Sequence, residues 1–296
     1  MIKGLAITPP IIGRISIGKI VEKNGKRLPE KDDSFTITTQ VQNKDGWLLH
    51  PLHAKLQGDS ANANANAKIR AIPVKVLFNS SDLNLRAEYS LFDRNTGRPM
   101  CVGNGETAKR VTADGIAEVA CTSPDSCALA KSSGCKPYGR LNVAIEGQDE
   151  ALASFVFRTT GFNSIRTLTA RLNYFEAVSN GNTRYLPLQL KLRAKSTTQS
   201  HRAPVYYVDL CLRDGITLED AVSAAIAEAA TSDLAGVSIK ALEQVARTGL
   251  GNGAFEDSEE EISAIVEEFY PETGVEKEPL VVPMVTKLTG KLAGKG

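Results

Sequence analysis

The sequence predicts an α+β fold: a β-rich domain over residues 1–213, an acidic helical region over 214–270 and a flexible tail over 271–296. Three observations carry this. Apolar residues alternate at period two along several stretches of the first 213 residues, the mark of half-buried strands. Four of the five cysteines fall together between positions 101 and 135, inside an insertion at about 100–140. The charge then reverses, although the whole chain carries only +1. Residues 151–213 hold nine basic side chains against Glu176 and Asp209, a net +7, while residues 214–278 hold sixteen acids against Lys240, Arg247 and Lys277, a net −13. Such a split points to an anionic partner for one part and an acidic module in the other.

The elements follow in order. Ser34–Val41 alternates cleanly and reads as a strand. Asn43–Gly46 is turn chemistry, and Trp47–Leu49 resumes a strand. The Asn-Ala repeat over 61–67 is low complexity and reads as a surface loop. Ile72–Phe78 and Leu85–Phe92 are strands. Asp93–Pro99 is a turn into the first cysteine, and the cysteine segment reads as a loop poor in large apolar residues. Leu141–Ile145 and Ala153–Arg158 resume the sheet. Asn163 or Ser164 caps a helix reaching about Val178, with Ile165, Leu168, Leu172 and Phe175 on its apolar face. Leu186, Leu188, Leu190 and Leu192 mark a strand that pairs antiparallel with Val205–Leu212.

Beyond Asp214-Gly215 the pattern becomes helical. Thr217 with Asp220 caps an Ala-rich helix to about Ala230, and a second helix spans roughly Ser238–Arg247. Ser258 with Glu261 forms a capping box for a third, whose face is Ile262, Ile265, Val266 and Phe269. That spacing suits a helix docking in a partner's groove; packing on the protein's own domain is the alternative.

A hydrophobic content of 42% supports a packed core. No apolar run reaches 18 residues, so no membrane span is expected. The N-terminus lacks the features of a secretory signal, so the cytoplasm, where thiols stay reduced, is the expected location.

The cysteine pattern is Cys101-x19-Cys121-x5-Cys127-x7-Cys135. Four thiolates bind zinc tetrahedrally and can fold a segment with little core of its own. The insertion is therefore expected to be zinc-ribbon-like. An iron–sulfur cluster, or no metal, fits the same residues. Four protein ligands leave no open position for an activated water, which makes the site structural. Cys211, in an alternating strand, reads as a small buried hydrophobe. His50 and His53 read as a surface pair. No Gly-x-Ser-x-Gly, phosphate-binding loop or HExxH is present, and no catalytic residue is assigned.

The basic stretch carries the candidate nucleic-acid contacts. Arg158, Thr160, Asn163, Ser164 and Arg166 surround an expected helix N-terminus, which attracts anions. Lys195 and Arg202 lie in a second polar loop with Tyr206 and Tyr207 behind it, a combination suited to single strands. Arg166 and Arg171 fall about 140° apart on a helix, so they form no tight stripe.

The run Phe92-Asp93-Arg94-Asn95-Thr96-Gly97-Arg98-Pro99-Met100-Cys101-Val102-Gly103-Asn104-Gly105-Glu106, the spaced cysteines, Cys135-Lys136-Pro137-Tyr138-Gly139-Arg140-Leu141, and Phe157–Arg166 resemble the recombination directionality factor-like family of phages, plasmids and integrative elements. Its proteobacterial members are often described only as hydrolase or metal-binding proteins. The resemblance spans roughly Met1–Arg213 and leaves the acidic helices outside. It implies a metal-bearing accessory protein acting with a recombinase or integrase, or another replication–recombination protein, with the four cysteines as metal ligands. Its actinophage relatives switch a serine integrase from integration to excision. The expected function is a mobile-element accessory protein that modulates DNA recombination through protein and DNA contacts, duplex or single-stranded. A single-stranded nucleic-acid-binding protein of phage or plasmid replication and repair is one alternative, and a metal-dependent hydrolase another.

Overall fold

The computed structural model describes residues 10–23, 26–44, 46–59, 67–196, 198, 202–250 and 269–270. Their strands join into one twelve-stranded sheet. Its main path runs β3 (Gly46–Leu49), β2 (Lys26–Asn43), β1 (Ile11–Lys23), β10 (Ser154–Thr159), β9 (Lys136–Ile145), β5 (Leu85–Phe92), β6 (Pro99–Gly103), β7 (Thr107–Thr112) and β8 (Gly115–Ala120). Only the β1–β10 pair is parallel.

The sheet branches at β9. Residues 136–141 of that strand pair with β5, while Val143–Ile145 pair with β4 (Ala71–Val76). β4 then pairs with β11 (Leu188–Lys195), and β11 with β12 (Val205–Leu212). The predicted antiparallel pair is thus present, in the register Leu188↔Leu212 to Lys195↔Val205.

The core fills the space enclosed by this bend. Ile15, Phe35, Ile37, Leu141, Val143, Phe155 and Phe157 come from the main path, and Ile72, Val74, Leu188, Leu190, Val208 and Leu210 from the branch. α5 (Phe162–Val178) closes it with Leu168, Leu172 and Phe175. Full burial of each leucine contributes about 1.5–3 kcal/mol. The helix begins as expected, but Gly161 is its N-cap and no side chain caps it. Asn163 and Ser164 are engaged elsewhere: Asn163 Oδ1 accepts from Lys195 Nζ at 2.6 Å, and Ser164 Oγ accepts from the Val208 amide at 3.1 Å.

The acidic helices pack on this core. In α6 (Leu218–Leu234), Thr217 Oγ1 accepts from the Asp220 amide at 3.2 Å, the expected cap, and Ala221 and Ala225 enter the main core. α7 (Ile239–Leu250) packs Ala246 against Leu77, Phe78 and Leu83. Its Glu243 accepts from the amides of Asn79 and Ser80 at 2.7 and 2.9 Å. The third expected helix lies outside the described residues except for Phe269 and Tyr270.

Three departures from expectation have plain causes. The cysteine segment is strands β6–β8 plus the short helices α3 (Ser123–Ser126) and α4 (Ala128–Ser133), continuing the main sheet instead of forming a separate ribbon. Its alternation is hidden because small residues such as Ala108 and Cys101 supply the inward positions. β1 carries Gly13, Arg14 and Ser16 among its apolar residues, which breaks the pattern. α1 (Pro51–Asp59) has no apolar stripe to read.

The histidines also differ. His53 is buried at the base of α1, and its Nδ1 accepts from the Ile37 amide at 3.3 Å. His50 sits edge-on to Phe155, 4.9 Å between centroids. Burial holds both imidazoles below their ordinary pKa. Folding therefore favours the neutral form. Its contribution to stability is complete above the unfolded value, about pH 6.5, and is lost as the pH falls below it. Melting curves at pH 7.5 and 5.5 should show a larger drop for the unsubstituted protein than for His53→Gln. An equal drop in both would exclude His53 as a source.

Candidate functional site

Two features of the sheet concentrate chemistry. The first is the cysteine cluster. Cys101 lies on β6, Cys121 follows β8, Cys127 separates α3 from α4, and Cys135 precedes β9. All four line one cavity with Arg110 of β7 and Leu129. The antiparallel β6–β7–β8 meander brings the distant Cys101 and Cys121 together, and the Cys121 amide donates to the Glu106 carbonyl at 2.8 Å. Gly134, with φ +81°, ends α4 in the left-handed region and turns the chain toward Cys135, a conformation that favours glycine. Gly103 leaves room beside Cys121: a Cβ there would stand 2.9 Å from the sulfur.

The electrostatics show that the thiols feel one another. Burial, then the neighbouring Cys101, Cys121 and Cys127, push Cys135 up to about 11. Cys127 is pulled the other way, chiefly by the Ala130 amide and further by the Leu129 amide and Arg110. Arg110 is held above its ordinary pKa by the neighbouring Cys101 first and further by Cys127. Among the described residues, no group of three or more His, Cys, Asp or Glu side chains is set so as to hold a metal ion as it stands. Cys211 lies apart on β12, half-buried, its Sγ 3.9 Å from the Gln189 carbonyl.

The second feature is a row of arginines on the sheet face opposite the main core. Arg158 of β10 stands directly opposite Arg140 of β9, and Arg140 directly opposite Arg86 of β5. Arg14, one strand further, shares this face through its register with Val156 and stacks over Trp47 at 4.1 Å. Like charges in direct cross-strand register are unfavourable in themselves. Glu88 supplies one compensating carboxylate, 3.8 Å from Arg86.

Of the residues expected to contact nucleic acid, the structure joins Lys195 to Asn163 but buries Ser164. Thr160 is half-buried before α5, Arg166 is exposed on that helix, and Arg202 is exposed in the loop before β12. Much of the +7 stretch works internally. Arg171 and Arg193 both hold the buried Asp209, at 3.0 and 3.2 Å. Lys191 pairs with Asp214, and Arg213 with Glu146 at 2.6 Å. Arg184 donates to the Leu77 carbonyl. Sequence reading missed Arg14, Arg86 and Arg140, since only the strand register joins them to Arg158. Of the expected partner-binding face, Ile262, Ile265 and Val266 lie outside the described residues. Phe269 is fully buried against the protein's own sheet, so it presents no outward apolar surface.

No helix among the described residues is long and apolar enough to cross a membrane. No curated protein and no solved structure matches the chain. One family does, the Gp3-like, recombination directionality factor-like proteins, over residues 12–213. That span contains the cysteine cluster, the arginine row and every strand among the described residues except the first residue of β1, and it ends at the residue after β12. The chain therefore belongs to the recombination directionality factor-like family, which suggests a role in phage or mobile-element recombination.

Proposed function

We propose that this protein is an accessory factor of mobile-element recombination that seats backbone phosphates of DNA on its arginine row and holds a structural zinc ion in its four cysteines. The observation that carries the DNA contact is the direct cross-strand alignment of Arg158, Arg140 and Arg86. Guanidinium groups aligned in this way suit the repeated phosphates of a strand, and phosphate contacts position a nucleic acid without reading its sequence. The reading assigns the protein no catalytic step.

The donor set fits zinc. Cys101, Cys121, Cys127 and Cys135 are soft ligands lining one cavity, and four of them close the coordination shell. Bound zinc would cross-link β6, the end of β8, α4 and the start of β9. Four thiolates on one zinc ion leave two negative charges, and Arg110 is placed to offset one of them. A site of this kind stiffens the edge of the sheet and leaves the opposite branch unaffected.

The DNA reading is tested by fluorescence anisotropy on duplex and single-stranded oligonucleotides across a salt series. Replacing Arg140 and Arg158 together by glutamine should weaken binding about tenfold or more and reduce the salt slope by about two. Arg171→Gln, which disturbs the Asp209 ion pairs, should leave the slope unchanged. If the double variant binds both oligonucleotides as the unsubstituted protein does, the arginine row is not the contact surface.

A further inference from the structure

The end of the described chain returns to the sheet at one place. Phe269 is 0% exposed and packs edge-on against Phe92 of β5, 4.8 Å between centroids, and Tyr138 of β9, at 5.7 Å. Tyr270 donates its hydroxyl hydrogen to the Phe92 carbonyl at 2.8 Å. Two cations complete the pocket. Lys136 Nζ lies 4.6 Å from the Phe269 ring, and the Arg94 guanidinium 4.6 Å from the Tyr270 ring. Phe92 and Tyr138 also stack on each other at 5.4 Å.

Every wall of this pocket comes from the family-matched residues, whereas both rings that fill it come from beyond them. The rings are also far from the pocket in sequence, 178 residues in the case of the Tyr270 hydrogen bond. The contact belongs to a small cluster separate from the main core, on a chain already fixed as far as Leu250. It suits an exchangeable anchor more than a foundation of the fold. The sequence on either side of the pair is acidic, Glu267-Glu268 before it and Glu272 after it, complementary to Lys136 and Arg94.

We propose that the Phe92–Tyr138 pocket is a docking site for a Phe-Tyr pair within an acidic segment, and that this chain fills the site with its own Phe269–Tyr270. The cis occupant holds the site against any segment of the same chemistry supplied in trans. Aromatic anchors seated in a pocket supply most of the energy in such interfaces, with cation–π contacts adding to it. Neighbouring charges set the on-rate and the salt dependence.

The test uses the full chain and a fluorescein-labelled peptide of its own residues 257–272. A Phe269→Ala/Tyr270→Ala variant should bind this peptide at least tenfold more tightly than the unsubstituted protein. A peptide with both aromatics replaced by alanine should not bind, and Lys136→Glu in the variant background should weaken binding and remove its salt dependence. Equal affinity of the variant and the unsubstituted protein, or no binding by a folded variant, overturns the proposal. A second measurement covers a variant that does not fold. A protease site placed at Gly251–Gly253 of the otherwise unsubstituted chain is cleaved, and the nicked protein is run on gel filtration with and without excess peptide. Retention of the C-terminal fragment, with displacement by the peptide, is expected. A fragment that leaves without peptide, or that peptide cannot displace, overturns the proposal.

Discussion

Replacing Cys121 and Cys127 together by serine is expected to abolish a zinc content of about one per chain and to lower the Tm by about 10 °C or more. Loss of a structural metal removes a few kcal/mol at least, and about 2–4 °C accompany each kcal/mol in a chain of this size. The expectation rests on how little else holds this edge of the sheet. The cluster's apolar contacts are Leu91, Ala108, Val119 and Leu129, few, and only two of them leucine. Gly103→Ala approaches the same point without replacing a thiol. Its Cβ would meet the Ala108 Cβ at 2.6 Å, the Cys121 sulfur at 2.9 Å and the Thr107 carbonyl at 2.9 Å. Two of these neighbours are backbone or a backbone-fixed methyl, so they cannot swing aside. Overpacking of this kind costs about 1–3 kcal/mol, and zinc content should fall with it. Gly58→Ala in α1 meets nothing within 4 Å and should leave Tm and zinc unchanged or raise Tm slightly. Elemental analysis and calorimetry decide the matter. A fourfold cysteine-to-serine variant melting like the unsubstituted protein would end the structural-zinc reading.

Asn84→Ala is the second large effect, expected to cost about 3 kcal/mol and so about 6–12 °C in Tm. Asn84 is buried in α2 (Ser81–Asn84), and its amide uses every hydrogen-bonding position it has. Oδ1 accepts from the Leu77 and Phe78 amides, both at 3.0 Å, and Nδ2 donates to the Phe78 and Ser80 carbonyls at 2.8 and 3.0 Å. Alanine would leave four main-chain groups without these partners in a site closed by α7. The same loop receives Glu243 and Arg247 from that helix, so α7 should loosen with it. Hydrogen exchange would show this as faster exchange in residues 239–250. Asn95→Ala, at an exposed turn, is the control and should change Tm by less than about 1 °C. If both alanine variants melt alike, the Asn84 network contributes nothing measurable.

Several elements were legible because their causes are local. The strands over Leu85–Phe92 and Val205–Leu212 have the bounds that alternation predicted. The α5 stripe at Ile165, Leu168, Leu172 and Phe175 repeats at helical spacing and is buried as expected. The Thr217 cap needs only a hydroxyl three residues before an amide. The turn over Asp93–Pro99 follows from the Asp93 carboxylate accepting from the Asn95 and Thr96 amides at 3.0 and 2.7 Å. Those bonds, the Thr96 amide first, also hold its pKa below the ordinary value.

Other features were decided by contacts no local pattern records. Gly161 caps α5 because Ser164 is drawn inward to the Val208 amide of β12 and Asn163 outward to Lys195. His53 is buried because β2 turns its Ile37 amide toward α1. The charge excess of residues 151–213 was visible in the composition, yet Asp209 absorbs two of its arginines.

By itself, then, the sequence determined the β-rich character of the described residues up to 213, the first two helices after Asp214, the four-cysteine set and the family, since each rests on periodicity, capping or motif within one stretch of chain. Only the tertiary structure decided that the cysteine segment extends the main sheet, that Arg158 has Arg140 and Arg86 beside it, and that Phe269 faces inward. The physical reason is register. Positions 86, 140 and 158 become neighbours through strand pairing alone, and a shift of one residue in either pairing would move a side chain to the other face.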